Sequence, residues 1–289
     1  MSVVFEVNDL TDSRLAPYVS LNENQLRRIY EPKAGIFVAE SFKVICRALK
    51  AGYEPESMLV STDKYDGDVK ALAETLDIPV YIGAPELLGP ITGFSRIGGE
   101  LCVMKRKTLL PIETICSGAE RIVWLENVEN PTNVGAIFRS AAAMGMDAVV
   151  LSSGCSDPLY RRSVRVSMGN VFLVPWTVAP TGGRRPQVGF PDGDFRGEKG
   201  IKELKRLGFK TVAMALRHDD IGIDDPVLKT CDKLAIILGN EGDGLPDEVV
   251  DACDYVAKIP MAEGVDSLNV AAASAVAFWE LRKTRDEEH

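Results

Sequence analysis

The sequence predicts an α/β protein of two layered domains, and three observations carry the prediction. Short apolar runs alternate with segments of helical periodicity along most of the chain. Arg121-Ile122-Val123-Trp124-Leu125, the helix-like Gly135 to Met144 and the apolar Ala148-Val149-Val150-Leu151 form a β-α-β unit, whose crossover implies parallel pairing. At 289 residues the chain is longer than one typical domain, and 46% hydrophobic with 26% charged residues is the composition of an ordinary folded protein.

Taken in order, a helix-like segment from Leu21 to Ile29 brings Arg27 and Arg28 together. A strand-like Gly35 to Ala39 precedes a helix with apolar Phe42, Ile45, Cys46 and Leu49, ended by Gly52. Met58 to Ser61, Val69 to Leu76 and Pro79 to Ile82 continue as strand, helix and strand, and Leu101 to Met104 closes the first domain. Residues 1–105 are thus one small α/β domain, 106–118 a linker containing Pro111, and 119–289 a second domain. There, Val171 to Val174, the helix Ile201 to Leu207, Thr211 to Ala215 and Leu234 to Leu238 carry the pattern forward. A final helix runs from Leu268 to Lys283. Between Val178 and Gly200 the sequence turns to Gly, Pro and Arg, as in a loop or insertion.

Composition excludes several classes. The apolar runs fall far short of the roughly 20 residues that span a bilayer, so no membrane segment is expected. Met1 to Glu6 lacks the basic start and apolar core of a signal peptide, which points to the cytoplasm and reduced thiols. The six cysteines contain no C-x-x-C pair, so no metal site is expected and they read as small buried hydrophobes. A net charge of −9 argues against nucleic-acid binding by bulk charge but leaves room for a local basic face. With only His218 and His289, and no G-x-S-x-G, Walker A or G-x-G-x-x-G motif, the common hydrolase and nucleotide signatures are missing. His218, in Leu216 to Asp220, reads as a solvated loop residue.

Three polar patches remain, each at the end of an apolar strand or the start of a helix. In Asn130-Pro131-Thr132-Asn133-Val134-Gly135-Ala136-Ile137-Phe138-Arg139, Asn133 is suited to cap a helix. Arg139 then emerges from an apolar helix, which is unfavourable without a function or a partner such as Glu126 or Glu129. Gly239-Asn240-Glu241-Gly242-Asp243-Gly244-Leu245-Pro246 follows an apolar strand; its glycines suit either close approach of a ligand or a tight turn. Pro246 fits the first turn of a following helix. The third patch is Ile259-Pro260-Met261 with Val265 to Val270, where Ser267 or Asp266 can cap an Ala-rich helix.

In this order and spacing the patches resemble the SpoU/TrmH family of S-adenosylmethionine-dependent RNA ribose 2′-O-methyltransferases, within the SPOUT superfamily. The resemblance covers about residues 120–283, with N-P-T-N-V-G-A-I-F-R, I-I-L-G-N-E-G-D-G-L and I-P-M followed by D-S-L-N-V-A as its three motifs. The segment before residue 105 is similar to that family's substrate domain, related to small ribosomal RNA-binding proteins.

The resemblance implies a parallel sheet flanked by helices, a deep C-terminal trefoil knot, a small N-terminal RNA-binding domain and a homodimer. It implies that S-adenosylmethionine is held by Leu238, Gly239, Asn240, Gly242, Ile259, Met261, Ser267, Leu268 and Asn269. It also implies an active site of Arg139 and Asn133 near a partner subunit, with Glu241, Ser267 and Asn269 orienting or anchoring. A guanidinium stays protonated, so Arg139 is assigned to stabilising the ribose alkoxide or a phosphate, and the base is left open. Arg27, Arg28 and Lys33, with Arg161, Arg162 and Arg165, are the candidates for RNA contact, and a solvated charged face explains each equally well. Asn170 departs from the small apolar residue of many relatives, and the insertion from Thr177 to Gly200 is atypical.

Two other readings compete with this one. A dinucleotide-binding oxidoreductase would use Gly239 to Gly244, but that run reads G-x-x-G-x-G and leaves the other patches unexplained. A non-catalytic RNA-binding homologue is opposed by the joint presence of Asn133, Arg139, Glu241, Ser267 and Asn269. The sequence does not choose between transfer and ribosomal RNA, although the two-domain layout leans toward the latter.

Overall fold

A computed structural model describes residues 3–19, 35–92, 99–180, 195–217, 220–240, 242–265 and 267–283. The chain divides into two compact units, Met1–Lys107 with Leu159–Phe172, and Thr108–Pro158 with Leu173–His289.

The first unit is built on strands β1 (Val4–Val7), β2 (Ile36–Glu40), β3 (Pro55–Ser61), β4 (Val80–Gly83) and β5 (Glu100–Lys105), ordered β1-β4-β3-β5-β2. β1, β4 and β3 are parallel, whereas β5 runs antiparallel to β3 and β2. The helix Phe42–Lys50 buries Val44, Ile45 and Ala48, and Gly52 at φ +77 lies just past its end. The predicted helix from Leu21 to Ile29 lies outside the described residues. Residues 159–172 group with this unit, because the helix Arg161–Val166 packs on β2 and Arg47 donates to Asn170 Oδ1 at 2.7 Å.

The second unit holds β6 (Arg121–Leu125), β7 (Ala148–Leu151), β8 (Trp176–Val178), β9 (Lys210–Met214), β10 (Ile221–Gly222), β11 (Leu234–Leu238) and β12 (Tyr255–Lys258). Their order is β10-β12-β9-β11-β6-β7-β8, and every pairing is parallel. A parallel sheet is covered by helices on both faces, which is why β6, β7 and β11 are buried along their whole length. Trp124 on β6 packs with Ile122, Ile237, Ile201 and Leu204, the last two from the helix Glu198–Arg206. The helix Pro131–Ala143 packs against the last helix, Val270–Leu281.

Two local expectations are corrected, and one sheet edge is new. The stretch expected as a linker contains the helix Ile112–Ile115, whose Ile112 and Ile115 enter the Trp124 core; apolar anchoring overrides the Pro111 punctuation. Val171 to Val174 makes no strand: Asn170–Phe172 is a 3-10 turn, and the strand follows at β8. β10 and β12, too short or too half-polar for a periodic signal, complete the sheet edge. Among the described residues, no helix is long and apolar enough to cross a membrane.

Candidate functional site

The three motifs converge at the carboxyl ends of β6 and β11, where open parallel sheets place their ligands. These strands pair through Leu125 and Leu238, and Glu126 N donates to Leu238 O at 2.8 Å. The chain leaves β6 through Asn127, which sits at φ +54, and enters its helix at Asn130. Asn130 is the cap: its Oδ1 accepts from Thr132 N at 2.9 Å. The expectation that Asn133 caps is therefore corrected, because Pro131 lacks an N–H and its fixed φ suits the first helical position. Asn133 lies one turn inside and is 7% exposed. Arg139 is exposed on the same helix and pairs with neither Glu126 nor Glu129.

The second motif closes on itself. Asn240 and Gly244 exchange two backbone hydrogen bonds of 3.1 Å, and Gly242 N donates to Asn240 Oδ1 at 2.7 Å. The side-chain amide of Asn240 also reaches the first motif: Nδ2 donates to Asn127 O at 2.9 Å. A side chain at Gly239 would lie 2.5 Å from the Gly244 carbonyl carbon, so the chain's own turn requires this glycine. Glu241 lies outside the described residues, as do Asp266, His218, Arg27, Arg28 and Lys33.

In the third motif Ile259 and Met261 are half-buried, while Ser267 and Leu268 are exposed. The cap is Asn269 rather than Ser267 or Asp266, since its Oδ1 accepts from Ala271 N at 2.9 Å and the helix starts at Val270. Its Nδ2 donates to Asn133 Oδ1 at 3.3 Å. Asn133 and Asn269 are thus brought together, and Asn240 is tied to the strand end between them.

Several residues here carried no distinct signal. Glu126 is 5% exposed, and its Oε2 accepts from Trp124 Nε1 at 2.8 Å. Burial pushes its carboxyl up, with hydrogen bonds from Trp124 and Ser152 pulling the other way. Ser152 Oγ accepts from Asn127 N at 2.9 Å. Cys155 Sγ accepts from Val128 N at 3.3 Å, and burial pushes this thiol up to about 12, so it stays neutral. The Asn-Pro pair at 130–131 was the readable clue to the true cap.

The arginine candidates in the helix Arg161–Val166 fall in the first unit. Arg161 Nε lies 3.0 Å from Glu40 Oε2, and Arg165 Nη1 lies 3.8 Å from Glu40 Oε1, with the Glu40 side chain 4% exposed. Their charge is therefore largely committed within the fold, while Arg162 is exposed. Among the described residues, no group of three or more His, Cys, Asp or Glu side chains is placed to hold a metal.

A search among known proteins returns the same assignment. The model of the SpoU rRNA Methylase family matches residues 120–183 and 197–279. An uncharacterized tRNA/rRNA methyltransferase of Mycobacterium tuberculosis is 32% identical over 287 residues, covering 99% of this chain and 93% of that protein. The 23S rRNA (guanosine-2′-O-)-methyltransferase RlmB of Nitrosomonas europaea is 27% identical over 232 residues, covering 78% of this chain and 82% of that one. The crystal structure of an AdoMet-bound rRNA methyltransferase from Sinorhizobium meliloti superposes with a TM-score of 0.79 at 25% identity, covering 96% of this chain and 97% of that one. With its three motifs gathered at one sheet edge and a relative matching nearly end to end, the chain belongs to the SpoU rRNA Methylase family.

Proposed function

We propose that the protein transfers a methyl group from S-adenosylmethionine to a ribose 2′-hydroxyl of ribosomal or transfer RNA. The observation that carries this reading is the hydrogen bond from Asn269 to Asn133, which joins the third motif to the first beside the Asn240 turn. Relatives named as RNA methyltransferases, one of them ribose-directed, and the AdoMet-bound structural neighbour support it.

The residues fit the cofactor. Half-buried Ile259 and Met261 and the exposed Leu268 offer apolar surface to a flat heterocycle. Backbone groups at Leu238, Gly239 and Gly242, with the amides of Asn240 and Asn269 and the Ser267 hydroxyl, offer polar partners. S-adenosylmethionine supplies an electrophilic methyl when bound. In this assignment Asn269 and Asn133 position the ribose hydroxyl, Glu241 orients its neighbours, and Arg139 stabilises the oxygen as it loses its proton. A preorganised cation at a developing alkoxide contributes about 3–4 kcal/mol.

The same reading includes the C-terminal knot, the first unit as RNA-binding domain and a cytoplasmic homodimer. Exposed Val276 and Trp279 on the last helix, 40% and 56% accessible, suit a face covered by a second copy. Sedimentation is expected to give a mass of two chains.

The test is incubation with methyl-labelled S-adenosylmethionine and unmodified total RNA, followed by separation of the RNA species and digestion to nucleosides. Label recovered as a 2′-O-methylnucleoside is the expected result. Label on a base, or none although S-adenosylhomocysteine binds, overturns the assignment.

A further inference from the structure

Next to the motif cluster, within the second unit, lies a cavity of about 250 Å³ that the methyl-transfer assignment does not use. Its lining includes Glu126, Asn127, Ser152, Phe195, Arg196 and Glu248. That volume is at the small end for a ligand pocket, the size for one heterocycle rather than a string of nucleotides.

The cavity is shaped by specific backbone features. Asn127, in the left-handed region at φ +54, carries one wall, and its carbonyl is the acceptor for Asn240 Nδ2. Asparagine tolerates that region, so Asn127 turns the chain out of β6 beside the cavity at little cost. Gly197 sits at φ +54, a conformation that favours glycine, and its ideal Cβ position lies 2.2 Å from Glu248 Oε1, the far end of an exposed side chain. Phe195 N donates to Pro180 O at 2.8 Å, and its partly buried side chain packs against the core.

The chemistry of the lining is asymmetric. Glu126 and Glu248 are acceptors, Ser152 is a neutral hydroxyl, and Phe195 is an aromatic side chain suited to stacking. Exposed Arg196 adds positive charge to the lining, the sign that attracts a phosphate backbone. Bases splayed out of an RNA strand are recognised by aromatic stacking and by hydrogen bonds to their Watson–Crick edges. Guanine presents two adjacent N–H donors on that edge, which one carboxylate accepts together. Adenine, cytosine and uracil each present donors from a single nitrogen there.

Resting on the methyltransferase reading, we propose that this cavity receives a guanine base of the substrate RNA, held by the Glu126 and Glu248 carboxylates and stacked on Phe195. The Asn240 to Asn127 hydrogen bond ties this pocket to the cofactor turn, and Asn133 lies in the helix that follows.

The test titrates the whole protein with the 5′-monophosphates of guanosine, adenosine, cytidine and uridine, read by saturation-transfer NMR. The phosphate is common to all four, so the differences report the base. Guanosine monophosphate is expected to bind at least tenfold tighter than the others. Glu248→Gln, at an exposed position, and Phe195→Ala are each expected to weaken it at least fivefold while S-adenosylhomocysteine affinity stays within twofold. Equal affinity for all four, preference for another base, no binding, or indifference to Glu248→Gln overturns the proposal. If S-adenosylhomocysteine does not bind but the guanine preference holds, the methyl-transfer reading falls and the pocket stands. If it binds and no preference is found, the pocket alone falls.

Discussion

Asn269 Nδ2 donates to Asn133 Oδ1 at 3.3 Å, joining residues 136 positions apart. The direction of this bond follows from a second one. Asn269 Oδ1 already accepts from Ala271 N as the cap of the last helix, so its amide hydrogens face Asn133. One side chain therefore sets a helix start and the junction of two motifs.

Substitutions at Asn269 separate those tasks. Asn269→Ala is expected to cost about 1–3 kcal/mol, the sum of a lost cap and an amide left without its partner. Asn269→Asp keeps the capping oxygen and loses only the donor, so its cost is expected to be about half. Urea unfolding of both variants measures this, and equal losses would remove the cap from the account.

At Gly239 the constraint is steric. An added Cβ meets backbone atoms of Gly244 and Leu245 at 2.5 to 2.7 Å, and backbone cannot swing aside as a side chain can. Gly239→Ala is expected to cost about 1–3 kcal/mol and to weaken S-adenosylhomocysteine binding by calorimetry, because the Asn240 turn must open. Wild-type affinity in a stable variant would detach the turn from the cofactor.

Arg139 is exposed, so Arg139→Ala should change stability by no more than about 0.5 kcal/mol. Methyl transfer to RNA is expected to fall by about 100-fold or more with cofactor affinity kept. Transfer at the wild-type rate would remove Arg139 from the reaction.

Glu126 predicts a pH dependence. Its carboxyl is raised above the ordinary value of 4.5 chiefly by burial, so the folded state holds the proton more tightly than the unfolded state. Where the folded chain binds more protons, stability falls as pH rises; this cost sets in above 4.5 and is complete once pH exceeds the folded value. Glu126→Gln keeps an acceptor for Trp124 and removes the charge. The variant's melting temperature is therefore expected to exceed wild type at neutral pH, with the gap closing toward pH 4. A gap independent of pH would rule out the buried charge as its source.

Local chemistry made much of this molecule legible in its sequence. Apolar runs marked β6, β7, β9 and β11, because strands covered on both faces must be hydrophobic throughout. The three motifs were visible because glycine, proline and asparagine at strand and helix ends answer to local backbone demands. Tertiary structure decided what locality could not: that Asn130 and Asn269 are the caps, that the helix Arg161–Val166 packs on β2, that Asn269 meets Asn133, and that Asn240 bonds the segment leaving β6. Glu126 escaped notice for the same reason, since a carboxylate at a strand end looks solvated until the fold buries it against Trp124. Burial and contact between distant residues are set by the parallel crossovers that bring strand ends together, and no window of sequence contains them.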